Sequence, residues 1–387
     1  MNSESIALKC SIARGGTSKA IFIMENELPK DPVTREKILL ALFGSPDIRQ
    51  IDGLGGADLL TSKLAIIGPP SRPDADVDYT FGQVSLTESF VEFNSICGNI
   101  SSAVGPFAID NGLVRPVEPY TTVRIHLTNI GKIMVAKVPV VKGKAAVEGD
   151  FAIDGVPGTG AKIALDWSEV VGSKTGKLLP TGNAQDILEL DGRQYHASIV
   201  DAGSISVFVP AEELGMTGTE TPQEIEANKE LCALLEGVRG KACELLGFVT
   251  DWKNSLKETP YLPFLCPVAK PADYTCFTGK KVLAGEIDFV SKVYNMGLVN
   301  KTYAGSGAAC TGAAARIKGG VLWNLLSEEA KTRPVLLIGH GAGKMPVEAI
   351  VEYGENGEAA IKTINVFRTA RILMDGCAYV KASRIKD

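Results

Sequence analysis

The sequence predicts a mixed α+β protein built from two similar domains, and three observations carry that prediction. Short β-rich runs recur along the chain between Gly- and Pro-containing turns. Stretches with helical spacing are few, and no regular strand–helix–strand alternation appears. A faint internal echo links "NSICGNISSA", around Cys97, to "GAACTGAAAR", around Cys310. With 387 residues, 45% of them hydrophobic, the chain can bury two separate cores.

The strands are expected at "KCSIARGG" from Lys9, "KAIFIM" from Lys19 and "TVRIHLTNIGKIMVAKVPVV" from Thr122. Others follow at "QYHASIVDAGSISVFV" from Gln194, "PVLLIGHG" from Pro334, "PVEAIVEYG" from Pro346 and "CAYVKAS" from Cys377. A helix opens at Asp31-Pro32 and closes near Gly44, with an N-capping carboxylate and a glycine stop. The segment Thr221 to Gly247 is the longest amphipathic stretch; it reads either as an interface or as a helix pair packing within its domain. "DFVSKVYNMGLV", Asp288 to Val299, reads as a helix, and "SEEAKT", Ser327 to Thr332, as a short one. Pro180 and Gly182 interrupt the pattern, so the domains are set at 1–181 and 182–375, with 376–387 a final strand returning to the first.

The charge excludes some functions. A net charge of -5 and a pI near 5.5 do not suit a general nucleic-acid or membrane-surface binder. Eight scattered cysteines without zinc spacing, an N-terminus lacking a signal-peptide core and no membrane-length apolar run point to a reduced cytoplasm. His126, His196 and His340 are isolated, so no metal is expected. "GGTSK" and "GHGAGKMP" lack the spacing of a P-loop.

The chemistry centres on a thiol. "CGNISSAVGPFAI" reads as a helix beginning just after Cys97, with Asp110, Asn111 and Gly112 as its exit. Helix starts present unpaired N–H groups and a partial positive charge, so they bind carboxylates and activate adjacent thiols. The same logic places a second helix start at Cys310, Thr311 and Gly312, giving two opposed starts that hold a small dianion. Lys63 sits in the apolar run "KLAII", where desolvation would push an amine toward usable base strength. Arg14, beside Gly15-Gly16, could grip a carboxylate. Thr17, Ser18 and Lys19 follow it, and Ser306 precedes Cys310.

Several blocks together resemble the 2-methylaconitate isomerase (PrpF) family: "RGGTSKAIF", "IDGLGGADLLTSKLAIIG", "DADVDYTFGQVS", "CGNISSAVGPFAID", "DGVPGTGA", "TGKLLPTGN" and "FRTARILMDG". The similarity runs from about Cys10 to Val380, and lies nearest the methylitaconate-isomerising members. It implies a diaminopimelate-epimerase-like fold, in which two domains each wrap strands around a central helix with the active site in the cleft between them. It also places the family's catalytic lysine and cysteine on Lys63 and Cys97, with no cofactor. Cys310 then remains a catalytic or binding candidate, and Arg14, Thr17, Ser18, Lys19, Gly98, Asn99, Ser306, Thr311 and Gly312 are substrate-binding candidates. Amino-acid epimerases of this fold carry Cys-Gly-Asn-Gly and Cys-Gly-[Ser/Thr]-Gly. Here Ile100 follows Asn99 and Cys310 precedes Thr311-Gly312-Ala313, which argues against a two-thiol racemase.

The expected reaction is an allylic 1,3-proton shift in an unsaturated di- or tricarboxylate, such as methylitaconate to dimethylmaleate. The alternatives are isomerisation of 2-methylaconitate, tautomerisation of an oxo-acid such as 4-oxalomesaconate, or simple polycarboxylate binding without chemistry. The expected partner is therefore one small polycarboxylate, with a homo-oligomer left open.

Overall fold

The computed structural model describes residues 4–386. Two compact units emerge, Met1–Leu165 with Arg368–Asp387, and Asp166–Phe367. The crossings between them thus fall at 165/166 and 367/368, whereas the sequence reading set its boundaries at 181/182 and 375/376. Among the described residues, no helix is long and apolar enough to cross a membrane.

In the first unit, β1 (Ser5–Gly15) turns through Gly16 into β2 (Ser18–Met24). Helix α1 (Pro32–Phe43) follows: Asp31 accepts from the Thr34 N–H at 2.8 Å, Pro32 opens the first turn, and Gly44 ends it in a left-handed conformation at φ 74°. Strands β3 (Lys63–Gly68), β4 (Val77–Val84) and β5 (Val91–Glu92) precede helix α2 (Gly98–Asp110), and β6 (Tyr120–Leu127) and β7 (Lys132–Val141) follow it. Pairing alternates: β1–β2 antiparallel, β2–β3 parallel, β3–β4 antiparallel, β4–β6 parallel, β6–β7 antiparallel. The strand Ala370–Lys381 then pairs antiparallel along the whole of β1. Helix α2 is buried from Gly98 to Ile109. Its small residues allow this: a Cβ on Gly105 would lie 2.6 Å from Val138 Cγ2.

The second unit repeats the scheme. Arg193–Val200 pairs antiparallel with Ser206–Pro210, which is parallel to Phe264–Ala269. That strand is antiparallel to Phe289–Ser291, itself parallel to Val335–His340, and Gly343–Tyr353 completes the series antiparallel. The buried helix Gly305–Ala314 occupies the place in this order that α2 has in the first unit. The echo between halves is therefore a repeat of topology.

One expectation changes, and one of two alternatives is settled in favour of a helix pair. Asp288 to Val299 is not a helix but three short strands, Phe289–Ser291, Tyr294–Asn295 and Leu298–Val299. Its aromatic and β-branched residues pair with Phe264–Ala269 and Val335–His340, and that tertiary pairing overrides the helical spacing. Thr221 to Gly247 is broken at Asn228 into Pro222–Ala227 and Lys229–Leu245. Thr221 forms a capping box with Glu224, and Asn228 caps the second helix through the Leu231 N–H.

Candidate active site

Register decides which side chains of the first unit meet. Gly15 lies opposite Ser18, Ala20 opposite Lys63, and Lys63 opposite Gln83. Directly paired residues project to the same side of a sheet, and alternate residues along a strand share that side. A Cβ on Gly15 would meet the Asn99 carbonyl oxygen at 2.5 Å, and Phe22 stacks on Phe107 of α2 with ring centroids 5.2 Å apart. Ser18, Lys63 and Gln83 therefore share the face that carries the start of α2. Lys19, one residue out of phase, is on the opposite face and pairs across to Arg14.

Lys63 is buried at the first position of β3. Its Nζ donates to Gln83 Oε1 at 2.7 Å and lies 5.2 Å from the centroid of the Phe81 ring. Gln83 is fixed in turn, with Nε2 donating to the carbonyls of Ser62 at 3.0 Å and Leu59 at 3.3 Å. The Ser18 hydroxyl is buried and has no hydrogen-bond partner among the described residues. Such an orphan costs free energy unless a ligand or water satisfies it.

Cys97 is the N-cap of α2, as expected, and 9% of its surface stays exposed. The first intrahelical bond runs from the Ser101 N–H to the Cys97 carbonyl, so the N–H groups of Gly98, Asn99 and Ile100 precede the helical ladder. The Asn99 side chain is gripped twice: Nδ2 donates to Thr17 Oγ1 at 3.0 Å, and Oδ1 accepts from Arg368 Nε at 2.9 Å. Gly16, at φ 52°, lies against it; a Cβ there would fall 2.3 Å from Asn99 Oδ1. Tyr79 is wholly buried, and burial followed by the charge of Cys97 raises its phenol well above the ordinary value. Arg14 is spent on the chain itself, donating to the Gly16 carbonyl at 3.0 Å and the Thr369 carbonyl at 2.9 Å.

The second unit corrects one expectation. Its buried helix starts at Gly305, with Ala304 as N-cap, so Cys310, Thr311 and Gly312 lie in mid-helix rather than at a helix start. The position equivalent to Cys97 is Ala304, because the small-residue echo aligned the two helices out of register. Cys310 is completely buried and donates to the Val200 carbonyl at 3.2 Å; burial pushes its thiol up to about 12. The Thr311 hydroxyl donates back to the Gly307 carbonyl at 2.8 Å and also contacts the Tyr303 hydroxyl. A Cβ on Gly312 would meet Val347 Cγ2 at 2.6 Å, which marks it as a packing glycine. Ser306 does stand in the first turn, its hydroxyl accepting from Ser204 Oγ at 2.8 Å.

Sequence reasoning missed Gln83 and Arg368. Gln83 carried a faint signal as the polar residue of "YTFGQVS"; Arg368 carried none, being distant in sequence from every other member of the group.

The family of the PrpF protein matches residues 5–381. The chain belongs to the PrpF family. A curated relative, the 3-methylitaconate isomerase of Eubacterium barkeri, is 48% identical over 99% of this PrpF chain and 100% of its own length. The 2-methyl-aconitate isomerase of Shewanella oneidensis is 36% identical over 96% of each. Among solved structures, a methylitaconate-delta-isomerase superposes with TM-score 0.87 at 47% identity, covering 100% of this chain and 98% of the other. A hydroxyproline epimerase from Agrobacterium vitis, 13% identical, matches with TM-score 0.54 over 97% and 93%. The PrpF chain thus has the diaminopimelate-epimerase-like fold that its sequence resembles.

Proposed function

We propose that the protein is a cofactor-independent isomerase that moves a proton across an allyl system in an unsaturated polycarboxylate, with methylitaconate to 2,3-dimethylmaleate as the preferred reaction. The single observation that carries this reading is the convergence of a buried lysine, an orphaned serine hydroxyl and a thiol-capped helix start on one face of the first unit's sheet. The relatives named as methylitaconate isomerases support the substrate.

Removing the hydrogen at the carbon between a methyl and a carboxylate leaves an allylic carbanion, delocalised as a dienolate. One proton returns at the methylene end, which becomes a methyl group, so the reaction conserves every atom. Charge develops on carboxylate oxygens, and N–H groups ahead of α2 with the Ser18 hydroxyl would receive it. Lys63 and Cys97 jointly take and return the proton; each positioned acid or base is worth about 10²–10⁴-fold. Gly98, Asn99 and Thr17 shape the carboxylate seat, with Lys19, Arg14, Ser306, Thr311 and Gly312 left without a direct role in this scheme.

Incubation with methylitaconate in deuterated water tests the proposal: one solvent deuteron should appear in the new methyl group of dimethylmaleate. Cys97→Ala should lower turnover by at least 10³-fold while leaving the circular dichroism unchanged. Undiminished turnover in that variant, or no deuterium in product, would overturn the scheme.

A further inference from the structure

Arg368 is the residue at which the chain returns from the second unit to the first. Its side chain is 1% exposed, among the largest fully buried ones of the protein. Burying a guanidinium is costly unless its charge and donors are used. Its Nε donates to Asn99 Oδ1, and Asn99 is the second residue of α2 after the Cys97 cap. Asn99 is also tied to Thr17, while Gly16 donates its N–H to the Thr369 carbonyl at 3.0 Å. The returning chain therefore clamps the β1–β2 turn and the head of α2 together. Burial lowers the guanidinium to about 10, with the charge of Cys97 acting the opposite way, so the side chain is cationic at neutral pH.

We propose that Arg368 is a positioning residue for the reaction: it locks Asn99 at the head of α2 and sets a buried positive charge beside the helix start that Cys97 caps. This rests on the proposed role of Cys97 for its catalytic consequence, but not for its effect on the sulfur. The electrostatic part is separable from the geometric part. A lysine at 368 keeps the charge and loses the Nε bond to Asn99, whereas a glutamine loses the charge.

The test compares Arg368→Gln and Arg368→Lys with the unaltered protein in two assays. The first is the rate of Cys97 alkylation by iodoacetamide at one neutral pH, read by mass spectrometry of the Cys97 peptide. The second is kcat and KM for methylitaconate. Arg368→Gln should alkylate at least tenfold more slowly and lose at least tenfold in kcat with KM within about threefold. Arg368→Lys should alkylate within about threefold of the unaltered protein and recover part of kcat. A folded Arg368→Gln with ordinary alkylation overturns the inference. Should that variant not fold, Arg368→Lys decides: a tenfold fall in its alkylation rate, despite the retained charge, overturns it equally. Undiminished turnover in Cys97→Ala would instead remove the catalytic role of the sulfur and leave the alkylation comparison valid.

Discussion

Lys63 and Gln83 illustrate how a single hydrogen bond fixes the orientation of a buried side chain. Gln83 offers Oε1 to the amine while its own amide is anchored to two carbonyls, so the lysine has one preferred orientation. Gln83→Leu should therefore lower kcat by about tenfold or more while KM and the unfolding midpoint change little; a purely structural role would show the reverse. Lys292 in the second unit is a contrasting case. It is buried over the Tyr274 ring, and desolvation lowers its amine to about 8, with Glu220, Cys276 and Glu224 pulling the other way. A folded-state value below the ordinary 10.5 means that the fold disfavours the charged amine. This cost is full below pH 8 and fades as pH rises toward 10.5, with an upper bound of about 3 kcal/mol. Lys292→Met should raise the melting temperature by several degrees at pH 7, and the gain should shrink on titration to pH 10. As candidates, Lys63 and Cys97 stand out in the sequence because each sits in a distinctive local run. Gln83 and Arg368 do not, because their places beside Lys63 and Asn99 arise from strand pairing and from a chain return that no local window contains.

At the level of elements, close approach between β1 and α2 places the proposed active groups. Gly15 has an ordinary backbone, so its constraint is purely steric: a methyl group there would press on the backbone oxygen of Asn99. Gly15→Ala should destabilise the first unit by about 1–3 kcal/mol and cut turnover at least tenfold by displacing the head of α2, both measurable by urea unfolding and steady-state kinetics. Helix α2 was readable to its first residue because Cys97-Gly98-Asn99 and Asp110-Asn111-Gly112 punctuate it at both ends. Its counterpart in the second unit has no such punctuation. "AGSGAACTGAAA" is small residues throughout, and only the surrounding strands say where the helix begins. That is why Cys310 was read at a helix start six places away from the true N-cap, Ala304 (310 − 304 = 6). The segment Asp288 to Val299 failed for a related reason, since its spacing suited a helix while its partners were strands distant in sequence.

Over the whole molecule, the sequence conveyed the number of units and their repeated character, but the positions of the crossings came from pairing. Strand Ala370–Lys381 covers β1 from Ser5 to Gly15, and Ala378 and Val380 join the core that α1 packs against. A chain stopped after Phe367 should keep a cooperatively folded second unit and lose the first. In hydrogen exchange, amides of Gly305–Ala314 should stay protected while those of Gly98–Asp110 exchange freely; protection of both would refute that dependence. The arrangement also bears on biosynthesis. A ribosome delivers all of the second unit before it delivers the strand that closes the first, so β1 waits with one edge bare through most of translation. Of the two halves, the one translated first is the one finished last, and the proposed reactive sulfur gains its arginine only when synthesis has passed residue 368.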